Sequence, residues 1–208
     1  MALSAQDKIL YVANKLGLST LNQMQGSTGA VYDTDIEGSG VIFGNASRHQ
    51  NPSVTNITQN EFEVNEALLV ENIAFFALRD NAPDREVRNL QATYGSNFVL
   101  VYDLIIGNKR VMKQTPVFGA GSPNTFANLG SQFNFSAGPP NAVVASFKPR
   151  HQTFLEGAGI LIPPQVQWSI EYRLFDVITG AVLPIDEETT IGCYLFGTRV
   201  LLNFNTSI

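Results

Sequence analysis

Hydrophobic and polar positions alternate most strictly over residues 166–175, where Val166, Trp168, Ile170, Tyr172 and Leu174 are separated by Gln167, Ser169, Glu171 and Arg173. A period of two over this length predicts a strand with one face buried. Other stretches read the same way. Phe62 and Val64 alternate with Glu61 and Glu63, and the apolar run 68–78 holds one or two strands, with helix left open for 70–78. Residues 98–106 are apolar on both faces apart from Asp103. The Gly107-Asn108 pair then leads into 109–117, the form of a two-residue hairpin.

Residues 119–140 read as a long polar loop carrying Phe126, Phe133 and Phe135, and strand character resumes at 142–147. Short apolar runs at 153–155 and 160–162 precede the 166–175 strand, and the Pro163-Pro164 pair marks a strand break. Thr179-Gly180 reads as a second hairpin tip with 181–185 returning from it, and 190–204 supplies one long closing strand or two shorter ones. About eight strands from Glu61 onward predict an all-β fold, an antiparallel β-sandwich of the jelly-roll kind. An immunoglobulin-like sandwich is the alternative, but the Cys…Trp…Cys spacing is missing and the loops are longer than that fold uses.

The first sixty residues follow a different pattern. Ser4 and Asp7 resemble a helix start, and Ile9, Leu10, Val12, Ala13 and Leu16 recur near helical spacing until Gly17. A short N-terminal helix follows, with a second turn through 21–25 after Ser19 and Thr20. Its apolar stripe packs either on its own sandwich or on a neighbouring subunit. Residues 26–60 are rich in Gly, Ser, Thr, Asn and Asp and are interrupted by Val41, Ile42 and Phe43. They read as loop or extended arm with room for one strand. The expected division is therefore an arm over 1–60 and a sandwich over 61–208. The expected assembly interface is the apolar arm surface of Ile9, Leu10, Val12, Leu16, Val41, Ile42 and Phe43.

Composition narrows the function. Charged residues make up 15% of the chain, against about 25% in an ordinary soluble domain, which suggests that much of the outer surface is covered by neighbours. The net charge is −5 and no long basic run occurs, so strong nucleic-acid binding is not expected. A single cysteine, Cys193, rules out an intrachain disulfide. No signal-peptide pattern and no apolar stretch of membrane-spanning length appear, so membrane insertion is not expected. Four Asn-X-Ser/Thr triplets, at Asn45, Asn56, Asn134 and Asn205, carry little weight in a chain this rich in those residues.

The candidate chemistry is sparse. Asp33-Thr-Asp35-Ile-Glu37-Gly38 begins like a calcium loop, but Gly44 stands where the closing glutamate is needed, so an acidic solvated turn is the simpler reading. His49 and His151 are the only histidines and cannot form a His-X-His metal cluster; no Gly-X-Ser-X-Gly elbow accompanies them. Gly119-Ala-Gly121-Ser-Pro-Asn124 lacks the third glycine of a dinucleotide fingerprint. Glu171 with Glu61 or Glu63 is the one carboxylate arrangement that could support glycoside hydrolysis. Lys109, Arg110 and Lys113, and Lys148, Arg150 and His151, form two small basic clusters suited to rim ion pairs. No catalytic residue, cofactor or metal is expected, and the chain is not read as an enzyme.

The run from Phe147-Lys-Pro-Arg150 through residues 154–164 to 168–174 is similar to the late strands and turn of phage capsid jelly rolls. By architecture over 61–208, and by the arm over 1–60, the chain resembles the single jelly-roll coat, penton or minor capsid proteins of icosahedral viruses and bacteriophages. That resemblance implies a virion structural subunit, assembled in the host cytoplasm, whose partners are copies of itself and other capsid proteins. The absent basic arm departs from many coat proteins and points to a vertex, auxiliary or shell role. The competing expectation is a carbohydrate- or receptor-binding β-sandwich displayed on a virion or cell surface.

Overall fold

Strand pairing in this chain is nested. In a computed structural model describing residues 4–18, 24–35, 38–44, 55–57, 59–81, 84–88, 98–118, 159–185 and 189–202, one helix, α1 (Ala5–Leu16), precedes nine strands. These are β1 (Gln25–Asp35), β2 (Val41–Ile42), β3 (Glu66–Asn81), β4 (Asp84–Arg88), β5 (Phe98–Ile106), β6 (Lys109–Phe118), β7 (Ile160–Ile162), β8 (Trp168–Asp176) and β9 (Thr189–Leu201). The first pairs with the last: β1 with β9, β2 with β8, β3 with β7, and β5 with β6, all antiparallel. Winding that long double ribbon brings β3 beside β9 and β5 beside β8. Two four-stranded sheets result, β1-β9-β3-β7 and β2-β8-β5-β6, which is the jelly-roll order. The extra strand, β4, folds back on the end of β3 at Ala77–Asn81, along the same edge that β7 occupies at Leu68–Val70.

The division at residue 60 does not survive in the sheets. The segment expected as an arm supplies β1, which runs beside β9 from Gln25 opposite Leu201 to Asp35 opposite Ile191, and β2, which pairs with β8. The stretch Gln25–Ala30 is poor in strand-forming residues, so its conformation is imposed by β9 rather than by local preference. Asp33 and Asp35 are likewise no solvated turn. Both are buried. The Asp35 carboxylate accepts from the Ser39 amide and hydroxyl at 2.9 Å, from the Gly40 amide at 2.6 Å and from the Tyr172 hydroxyl at 2.9 Å, while Asp33 accepts from the Phe43 amide at 2.8 Å. These bonds staple the corner between β1 and β2 to the opposite sheet, and they satisfy the charge that burial would otherwise penalise.

The core lies between the inner faces. Along β8, Trp168, Ile170, Tyr172 and Leu174 are buried, as the alternation predicts. They meet Leu100, Tyr102 and Leu104 of β5, Val70, Ile73 and Phe75 of β3, and Ile191, Cys193 and Leu195 of β9. Trp168 lies between Phe43, at a ring distance of 4.4 Å, and Phe62, at 5.8 Å. Its indole N–H is buried with no partner among the described residues, a cost that the ring contacts must offset.

The 68–78 run is one strand, and its pattern was ambiguous for a local reason. A bulge at Glu71 shifts the register between Val70 and Asn72, so inward positions are Leu68 and Val70 before it and Ile73, Phe75 and Ala77 after it. A phase change in mid-strand erases a clean period of two. Opposite the bulge, Gly197 is needed because a Cβ there would stand 1.8 Å from the Leu69 carbonyl oxygen. Elsewhere the Gly107-Asn108 hairpin joins β5 to β6 as expected. Phe62 and 181–185 form only single bridges, to Pro164 and from Val182 to Phe175, in place of strands. The expected strands at 142–147 and 153–155 lie outside the described residues.

Two outcomes test this packing. Trp168→Asp places an unpaired charge between the sheets and is expected to abolish the cooperative thermal transition; a retained cooperative melt contradicts the assignment. Burial, then the nearby Asp33 charge, push the Cys193 thiol well above its usual range, and burial likewise raises Tyr102 and Tyr194. The unfolded chain therefore loses protons that the folded one keeps. Stability should fall as pH rises above about 8.5 and further above about 10. Cys193→Ala should flatten the first of these steps in urea midpoints measured across that range.

Candidate functional site

Part of the outer sheet surface is covered by the chain itself. Helix α1 carries a capping box, with the Ser4 hydroxyl accepting from the Asp7 amide and the Asp7 carboxylate accepting from the Ser4 amide, and it ends on the left-handed Gly17. Val12 and Ala13 are buried, and the cluster beneath them consists of Ala67, Leu69, Val200 and Leu202 on the outer face of the β1-β9-β3 sheet. Gly26 makes the seat possible, since a Cβ there would meet Ile9 at 2.8 Å. Lys8 pairs with Glu71 at 2.7 Å, and Thr198 donates to the same carboxylate. Of the two placements open from sequence, the helix packs on its own sandwich.

That placement corrects the expected interface. Val12 is spent on the helix seat, and Ile42 and Phe43 are spent on the central core. Leu16 packs against the same seat as Val12. Ile9, Leu10 and Val41 are half-buried, and Val41 lies opposite Glu171 in the β2–β8 pair. The structure does not bring the seven residues into one exposed patch.

Parts of the sheet edges are guarded as well. Beside β1, the Asn56 side chain accepts from the Tyr32 amide at 2.7 Å and donates to the Ala30 carbonyl at 2.8 Å, and the Asn56 amide donates to the Tyr32 carbonyl. A single asparagine thus imitates a neighbouring strand. The β6 edge carries the exposed cations Lys109, Arg110 and Lys113 together with Pro116, and its pairing is broken by register shifts. β2 and β7 are two and three residues long. Charge, proline, bulges and short strands all discourage strand addition by another chain.

Among the described residues Val64 and Val111 stand exposed singly, and a group of three apolar side chains is exposed after β8. After β8 the chain makes a tight turn in which the Asp176 carboxylate accepts from the Ile178 and Thr179 amides, both at 2.8 Å, and the Gly180 amide donates to the Asp176 carbonyl. The hydrogen bonds from the Thr179 and Ile178 amides hold the Asp176 carboxyl below its usual range. At its apex Val177 is 53% exposed and Ile178 75%, with Val182 63% exposed beside them. This is a rigid knob with apolar side chains facing water.

The second feature is a cleft of about 470 Å³ over the outer face of β5 and β8, walled by that turn on one side and Gln114 on the other. Asp103 and Glu171 stand directly opposite each other in its floor, an unfavourable pairing of like charges. Arg110 binds both, reaching Asp103 and, at 3.0 Å, Glu171. The other Asp103 oxygen accepts from the Gln114 amide, which holds Gln114 in the left-handed region at φ 46.

The carboxylates proposed together from sequence are separated. Glu61 and Glu63 line a different cleft, of about 390 Å³, with Glu66 and Arg199, whereas Glu171 belongs to the β5–β8 face. His49, His151, Lys148, Arg150 and Gly119–Asn124 lie outside the described residues. No group of three His, Cys, Asp or Glu suited to a metal ion occurs among the described residues, and no helix there is long and apolar enough to cross a membrane. The Asp103–Arg110–Glu171 cluster was missed from sequence, although a lone aspartate in an otherwise apolar strand was its signal. The knob was missed because Val177 and Ile178 fall between the strand read over 166–175 and the hairpin tip at Thr179-Gly180, where no pattern marks their exposure. Comparison with protein-family profiles, curated proteins and solved structures finds no match.

The ionic cluster yields a direct expectation. Arg110→Ala leaves two facing carboxylates and should lower stability by about 1–3 kcal/mol, given that the guanidinium is partly solvated. Adding Glu171→Gln should recover part of the loss in a double-mutant cycle of chemical unfolding.

Proposed function

We propose that this chain is a structural subunit of a virus particle, a capsid, vertex or auxiliary shell protein that acts by packing against copies of itself and other shell proteins. The observation that carries the reading is the fixed turn that holds Val177 and Ile178, with Val182 beside them, out in water. A preorganised apolar protrusion costs little ordering entropy on binding, and full burial of such side chains is worth about 1.5–3 kcal/mol each. A contact of that size is weak alone. Repeated around an axis or over a shell, it becomes strong by multivalency.

The guarded stretches of edge favour the same reading, because they discourage runaway strand addition while faces and ends remain as surfaces through which copies can meet. A net charge of −5 is consistent with a role other than genome binding. The particle, formed in the host cytoplasm, is the proposed location.

The test is sedimentation of the full chain over a range of concentrations, beside an Ile178→Asp, Val182→Asp variant. Both positions are exposed, so the melting temperature should not change. The native chain is expected to form multimers and the variant to remain monomeric. A native chain that stays monomeric throughout, or a variant that assembles normally, overturns the proposal.

A further inference from the structure

We infer that the cleft on the outer face of β5 and β8 is a binding site for a neutral saccharide. Its volume of about 470 Å³ lies in the range of small-ligand sites. The β5–β8 register sets its floor in three rows: Val99 opposite Phe175, Val101 opposite Arg173, and Asp103 opposite Glu171. One end is apolar, the other ionic, and a guanidinium stands between them.

The polar groups differ in how far they are already occupied. Asp103 is taken by Arg110 and the Gln114 amide, and Asp176 by the Ile178 and Thr179 amides. Glu171 gives one oxygen to Arg110 at 3.0 Å and keeps the other. The Arg173 side chain is exposed on this face and makes no ion pair or hydrogen bond with the side chains of the described residues. The capacity left for a ligand is therefore one cation, one carboxylate oxygen and the Gln114 side-chain amide, a set that both donates and accepts.

A matching ligand offers an apolar face to Val99, Val101 and Phe175 and, around its rim, groups that donate to Glu171 and accept from Arg173 and Gln114. A pyranose ring does this, with C–H bonds on its faces and hydroxyls on its edge. An acidic sugar fits less well, because Asp103, Glu171 and Asp176 already surround the site with negative charge. The two walls are held before any ligand arrives. Asp176 fixes the turn that contributes Val177 and Gly180, and Asp103 fixes Gln114 in a backbone conformation that non-glycine residues rarely adopt. Holding side chains in place beforehand lowers the cost of binding.

This site does not depend on assembly, and it can be tested on the full-length Ile178→Asp, Val182→Asp chain as well as on the native one. Saturation-transfer NMR with soluble neutral oligosaccharides of glucose, galactose, mannose and N-acetylglucosamine is expected to show transfer to the ring protons of at least one of them. Arg173→Ala should weaken that ligand at least tenfold with an unchanged melting temperature, and Phe175→Ala should remove the ring-proton signal. Glu63→Gln, in the other cleft, should leave binding intact. Binding of none of these sugars, binding that survives both cleft variants, or binding only of acidic sugars or peptides overturns the inference.

Discussion

Strand β9 is paired along both edges, with β1 on one side and β3 on the other, and the rest of the molecule depends on that double pairing. It joins the beginning, middle and end of the chain in one sheet. The inward residues Ile191, Cys193 and Leu195 then supply the floor on which β5 and β8 pack from the opposite sheet. Such contacts are distant in sequence, so loop-closure entropy must be spent before the pairing offsets it. The bulge at Glu71 and the missing side chain at Gly197 are local adjustments that let β3 and β9 stay paired while the strand changes phase.

The two outer faces are treated differently. On the β9 side, α1 covers Leu69, Val200 and Leu202, and Lys8 meets the charge of the bulged Glu71. The helix is too short to persist alone in water, so the seat stabilises the helix as much as the helix shields the seat. On the β8 side no such helix intervenes among the described residues. There the floor is an ionic cluster organised by Arg110, bordered by the apolar row of Val99 and Phe175 and by a turn whose side chains face outward. The inner faces account for stability, and the proposed interactions with other molecules lie on the outer β5–β8 face.

How much of this was legible in the sequence follows from what each residue had to do. Trp168, Ile170, Tyr172 and Leu174 lie on a regular strand with one buried face, so alternation alone marked both the strand and its inward side. The Gly107-Asn108 turn was equally plain because its chemistry is local. In contrast β1 was hidden: in Gly26-Ser-Thr-Gly29 only Thr28 favours a strand, and the segment is extended because β9 lies beside it. Asp33 and Asp35 read as solvent-exposed for a related reason, since the groups that satisfy them, Ser39, Gly40, Phe43 and the distant Tyr172, converge only in the fold. Ile42 and Phe43 read as a sticky loop and proved to be core. The knob and the Arg110 cluster depend on where the sheet places ordinary residues, which no spacing rule encodes.

Amide hydrogen exchange across β1 tests the central claim most directly, because that segment is an integral strand only if β9 holds it. The amides of Gln25–Asp35 that face β9 should exchange with the same opening free energy as those of β9 itself, near that of global unfolding. Exchange of the whole segment at the rate of an unstructured chain, with β9 still protected, would contradict the account.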